Sequence, residues 1–205
     1  MCGRFGLEYG KDFYPRFLLK NQLPGLVSNL NISPGQQVPI IINQNCENIL
    51  QSMKWGLIPF WSKDQKIGSK LFNARLETIQ EKPSFKNAFK NRRCLIPASI
   101  FYEWRDEGEK KIPYGFKPEN EKYFAMAGIY EIWTDPSGIK IPTFTILTTT
   151  PSSVIRPFHD RMPVVLDRDE ELDWLLETAE PENLLKHALS EPKYKMSINI
   201  VKEFL

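Results

Sequence analysis

The chain opens MCGRFGLEY, with a cysteine directly behind the initiator methionine. If Met1 is removed, Cys2 becomes N-terminal and carries an α-amine and a thiol on one residue, two nucleophiles able to reach the same electrophilic carbon. The position also suits a small side chain at a frayed terminus. Five later stretches set polar side chains where strand ends or loops would place them: NISPGQ, KWGLIPFWSKD, FNARLET, FYEW and FHDRMPVVL. Each has a plain reading on its own. Trp55 and Trp61 suit a core, Asn73 a turn, Glu103 half of an ion pair and His159 a loop.

Taken together, MCGR, NISPGQ, WGLIPFWSKD, NARLET, RCLIPASIFYEW, MAGIYEIW and HDRMPVVL resemble, in order and spacing, the SOS-response-associated peptidases, also called abasic-site processing proteins. The likeness runs from residue 2 to about residue 166. It implies a self-processing cysteine peptidase that loses Met1, binds single-stranded DNA at an abasic site and couples Cys2 to the exposed sugar aldehyde through lyase-like imine chemistry. The residue chemistry agrees. An α-amine with a reference pKa of about 7.7–8.0 is partly neutral near physiological pH and condenses with an aldehyde to an imine. The thiol then closes a five-membered thiazolidine, which an internal cysteine cannot form, at a high effective molarity.

The resemblance places Asn73, Glu103 and His159 around that ring. Asn73 would orient the nucleophile by hydrogen bonding without titrating. Glu103 is assigned to the Met1 peptide step and to reversal, and His159 to opening the deoxyribose ring, although two proton carriers within reach of one site can exchange tasks. DNA contact is expected from Arg4, Arg75 and Arg161 through bidentate phosphate binding, with Trp61 and Pro59 as a wedge or stacking platform and Trp55 in the core. Ser99 and Ile100 stand where family members carry an acidic residue and a glycine before FYEW.

Two other classes share these features. Class II glutamine amidotransferases also begin Met-Cys-Gly, with the thiol attacking an amide, but the later motifs and the lack of a synthase domain speak against them. A non-enzymatic single-stranded DNA-binding module would use the same arginines and tryptophans with Cys2 incidental.

Positioning these residues calls for strands. CGRFGLEY, VPIIIN, ILQSMKW, CLIPASIFYEW, YFAMAGIYEIW, TFTILTTT and MPVVL have the apolar content for them, and MSINIV is strand-like near the C-terminus. KDFYPRFLLKNQ, PSFKNAFKN, RDEELDWLLE and PENLLKHALS read as helices, the last carrying His187 as a surface residue. The expected fold is α+β: a mainly antiparallel, partly closed β-barrel-like sheet with peripheral helices, in a single domain over residues 1–205. Residues 2–166 carry the motifs, and 167–205 form C-terminal helices and a strand.

The 205 residues, 41% hydrophobic and 25% charged, suit one domain with a substantial core. No apolar run approaches the roughly 20 residues of a membrane helix, and no signal peptide is visible. Three widely spaced cysteines, Cys2, Cys46 and Cys94, suggest a reducing compartment. A DNA-associated cytoplasmic monomer without cofactor or metal is expected. The net charge of +2 decides nothing about nucleic acid, but KNAFKNRR concentrates Lys86, Lys90, Arg92 and Arg93.

Overall fold

The computed structural model describes residues 2–176 and 195–201. The chain enters through β1 (Phe5–Leu7), three buried residues, and α1 (Phe13–Arg16). The helix expected over KDFYPRFLLKNQ stops after one turn. Pro15 is tolerated there, but Leu18 turns the chain out at φ 52°. Next come β2 (Asn29–Ile32) and the hairpin of β3 (Gln37–Gln44) and β4 (Glu47–Trp55), whose turn puts Asn45 and Cys46 at positive φ. The short β5 (Asn73–Arg75) runs into a single 3-10 turn, Leu76–Thr78.

After α2 (Lys86–Asn91), the segment expected as one strand divides into β6 (Arg93–Ala98) and β7 (Ile100–Glu107). Ser99 is the corner: its N–H donates to Gly6 O at 2.8 Å and its Oγ accepts the Glu8 N–H at 3.0 Å. The polar side chain thus ties the bend to β1. Ile100 packs over Gly6 and Gly115, where an added Cβ would come within 3.0 and 2.4 Å of it. β8 (Lys110–Pro118), β9 (Phe124–Thr134) and β10 (Lys140–Thr149) follow, then the two-residue strands β11 (Met162–Pro163) and β12 (Val165–Leu166). α3 (Arg168–Leu175) and β13 (Met196–Ile200) complete the described elements. The Glu170 carboxylate accepts the Asp167 N–H at 3.2 Å, as the acidic first turn suggested. The helix expected over PENLLKHALS, with His187, lies outside the described residues.

One sheet has the order β13-β8-β7-β1-β2. In the other, β10 pairs with β4, β4 with β3, β3 with β6, β6 with β9 and β9 with β10, so five strands close a ring. This is the barrel-like, mainly antiparallel sheet the sequence suggested, with β10 running parallel to β4 and β5. Closure removes free edges and leaves strand ends to carry polar groups. A continuous buried cluster, including Phe5, Trp55, Phe101, Phe116 and Phe144, fills the space between elements. Among the described residues no helix is long and apolar enough to cross a membrane.

Candidate active site at the N-terminal cysteine

Cys2 is fully buried, not frayed. β1 pairs with β7 in the register Phe5↔Phe101 and Gly6↔Ile100, and the Tyr102 N–H continues the ladder by donating to Arg4 O at 2.9 Å. Continued once more, the register sets Gly3 opposite Glu103. The N-terminal segment is thereby laid along the strand that carries the carboxylate. Its Sγ comes within 3.9 Å of Arg4 O.

From the other side, Asn73 Nδ2 donates to Cys2 O at 2.8 Å. Asn73 opens β5, which pairs in parallel with β10 through Ile146↔Asn73. Trp55 fixes its approach: buried as expected, it stacks on Phe144, meets Phe5 edge-on at 5.2 Å and donates from Nε1 to Phe72 O at 2.7 Å. One indole therefore braces the residue before Asn73 and the strand that follows Cys2. Asn73 Oδ1 is buried and has no hydrogen-bond partner among the described residues. Such an acceptor costs free energy and marks a place where a donor would be welcome.

Glu103 is buried on β7, and desolvation pushes its carboxyl up to about 7. Positive charge at the chain's N-terminus pulls the other way, and Asp160 adds to the rise. Burial, and then the Glu103 charge, push the Cys2 thiol far above its ordinary range. The thiol is therefore protonated at rest and needs a base to deliver a sulfur nucleophile. A carboxyl near neutrality is suited to that exchange.

His159 follows a loop that starts where β10 ends. Burial, and then charge at the N-terminus, hold its imidazole below the ordinary range, so it is neutral at pH 7. Its Nδ1 lies 3.0 Å from the Arg161 backbone N–H and 2.7 Å from Asp160 Oδ1. One nitrogen cannot serve both at once. When it accepts from Arg161 the ring proton sits on Nε2; when it carries a proton toward Asp160, Nε2 in the neutral ring becomes a base. The preceding Phe158 packs on Tyr114 and Phe116, at 4.7 and 5.1 Å between ring centroids. Tyr114 is the register partner of Glu103. Glu103 and His159 thus share a support.

The expected DNA contacts fare differently. Arg4 Nη1 donates to Asn31 Oδ1 at 2.5 Å, which draws NISPGQ to the site. Arg75 is exposed at the end of β5. Arg161 is buried: Nη1 and Nη2 donate to Glu77 at 2.7 and 2.8 Å, and Nη2 also donates to Thr148 O at 2.6 Å. Burial opposes ionisation of Glu77, but the Arg161 hydrogen bonds outweigh it and hold the carboxyl below its usual range. Arg161 is thus occupied in fastening β10 to the turn after Arg75. Trp61 is 49% exposed, whereas Pro59 is buried and cannot serve as the wedge. Its neighbour Phe60 is 56% exposed, so the outward-facing pair in this loop is Phe60 and Trp61, two adjacent aromatics visible in the sequence. Among the described residues no group of three or more His, Cys, Asp or Glu side chains converges as a metal site would need.

Fold and site define a β-rich protein whose second residue is held, buried, between an asparagine and a near-neutral carboxyl. A family model described as SOS response associated peptidase (SRAP) matches residues 1–204, and the chain belongs to that family. Its relatives include the abasic site processing protein YoqW of Bacillus subtilis, 44% identical over 180 residues that cover 85% of this chain and 80% of that protein. The abasic site processing protein HMCES of Gallus gallus is 31% identical over 206 residues, covering 85% of this chain and 61% of that protein. A crystal structure of a protein from Bacteroides thetaiotaomicron superposes with a TM-score of 0.90 at 29% identity, covering 98% of this chain and 92% of that one.

Proposed function

We propose that this chain processes abasic sites in single-stranded DNA: it removes its own Met1, then joins N-terminal Cys2 to the sugar aldehyde as a reversible thiazolidine that shields the lesion. The relatives' names support the substrate class. The observation that carries the reading is the grip on Cys2, its carbonyl held by Asn73 at 2.8 Å and its thiol sensing the Glu103 charge. An incidental cysteine would need neither.

Hydrolysis of the Met1–Cys2 amide adds one water and frees the α-amine. His159 then assists opening of the deoxyribose, a step that takes a proton from one oxygen and gives one to another. Its Nδ1, set between the Arg161 donor and the Asp160 acceptor, supports both settings of Nε2. The amine adds to the aldehyde carbon, and the carbinolamine loses water to give an imine. Finally the sulfur adds to the imine carbon while the thiol proton passes, by way of Glu103, to nitrogen. Reversal runs the same path backward with Glu103 as proton donor. Asn73 Oδ1 accepts from the freed amine or from a sugar hydroxyl. Arg4 and Arg75 meet phosphates and Trp61 stacks on a base, while Arg161 keeps its place in the scaffold.

Denaturing gels test this directly. Wild type should form a heat-stable adduct with an abasic single strand and none with a lesion-free strand; Cys2→Ser should lose the adduct and retain non-covalent binding. An undiminished heat-stable adduct with Cys2→Ser would refute the assignment.

A further inference from the structure

The cation cluster of KNAFKNRR is divided by the fold. Arg92 pairs with Glu131 at 2.8 Å. Arg93, buried, donates to Trp174 O at 2.8 Å, to Phe89 O and to Leu176 O, and so anchors the end of α3. These two arginines are structural. Lys86 and Lys90 differ: one helical turn apart on the exposed side of α2, they have no salt bridge among the described residues, while Ala88 and Phe89 face the core.

The two lysines border a surface cavity of about 350 Å³ whose other walls are Phe60, Trp61, Pro83 and Asn87. Its loop side is held in place. Pro59 is buried, its carbonyl accepts the Ser62 N–H at 2.9 Å, and Ser62 O accepts the Trp133 indole N–H at 2.7 Å. The volume lies near the lower end of small-ligand pockets and would admit one planar ring. Apolar and aromatic walls with two cations on one rim suit a base and the phosphates beside it.

We propose that the groove between the 59–62 loop and α2 binds a nucleotide of the same single strand beyond the lesion, with Lys86 and Lys90 on its phosphates and Asn87 available to the base. This extends the reading under Proposed function and rests on it. The groove sets the length of strand engaged and leaves the covalent chemistry to Cys2.

The test uses the full chain and a Lys86→Gln/Lys90→Gln double variant, with both substitutions on the exposed face of a short helix. Affinity for a lesion-free single strand of about twelve nucleotides is measured against salt, and adduct formation is measured on an abasic oligonucleotide of about four nucleotides at saturation. Loss of two phosphate contacts should lower the salt slope by about 1.4 and weaken binding at ~0.15 M salt roughly tenfold, with adducts on the short strand forming as in wild type. Unchanged slope and affinity in the variant, with wild type binding and coupling normally, would overturn the groove assignment alone. A wild type that neither binds nor couples would overturn the parent reading and this one with it. A variant that kept DNA affinity but lost binding to a polyglutamate peptide would assign the groove to an acidic protein instead.

Discussion

Replacing Glu103 by glutamine should make the protein more stable at pH 8 while slowing the proton transfers at Cys2. The carboxyl is 3% exposed, and its pKa rises from 4.5 to about 7 on folding, chiefly through desolvation. Below about pH 4.5 it is protonated in both states and its folded environment costs nothing extra. Between there and pH 7 the unfolded chain ionises while the folded chain resists, so stability falls; above the folded pKa both are ionised and the loss is complete. The displacement corresponds to about 3 kcal/mol at full extent. For a chain of this size that is roughly 6–12 °C in thermal midpoint. Urea or thermal denaturation of wild type and Glu103→Gln at pH 4, 5, 6, 7 and 8 reads it: the curves should lie together at pH 4, begin to part at pH 5 and be fully separated, with the variant higher, by pH 8. Parallel curves across that range would refute a buried carboxyl titrating near neutrality, and with it the proton-carrier role.

The two arginines of the 75–161 region should separate cleanly. Arg161→Ala should cost about 1–3 kcal/mol of stability by leaving the buried Thr148 carbonyl without its donor and unfastening Glu77, whereas Arg75→Ala should leave the thermal midpoint unchanged and lower the salt slope of DNA binding by about 0.7. Asn73→Ala should slow adduct formation by tenfold or more and cost about 1–2 kcal/mol by releasing the Cys2 carbonyl, as single-turnover gels and urea melts would show. Asp160→Ala, at a side chain 82% exposed, should barely move the melt yet slow coupling and shift its pH profile, because His159 loses the acceptor for Nδ1–H. In a chase with excess abasic DNA, preformed Glu103→Gln adducts should persist, while His159→Ala should form adducts slowly and exchange them at the wild-type rate.

The strands rich in β-branched and apolar residues were legible because their residues line the core of a closed sheet. β8 was not: KKIPYGFKP mixes lysines, prolines and glycine, and it is a strand because β7 and β13 flank it. Propensity yields there to tertiary pairing. The corner at Ser99 was hard to read for a related reason, since what fixes it is one hydroxyl bridging to Glu8, while the nearby Pro97 sits inside β6. At the site, Cys2, Asn73 and Glu103 could be named from motifs, and the structure brings all three together. Arg161 shows where motif reading ends: sequence identifies a guanidinium but not that Glu77 and Thr148 occupy it. Pro59 and Phe60 make the same point one residue apart, because which of two neighbours faces out depends on how the loop is tied to Trp133.

Cys2 is expected to become N-terminal and to bond covalently to an abasic site through both of its nucleophiles. Intact mass spectrometry of the protein, purified from a strain lacking methionine aminopeptidase activity and incubated with an abasic single strand, reads both halves at once. The expected product is a chain lacking Met1 that gains the mass of the oligonucleotide minus one water, with Cys2→Ala and Glu103→Ala retaining Met1. A wild-type chain that keeps Met1, or an adduct mapped by fragmentation to any residue other than Cys2, would contradict it.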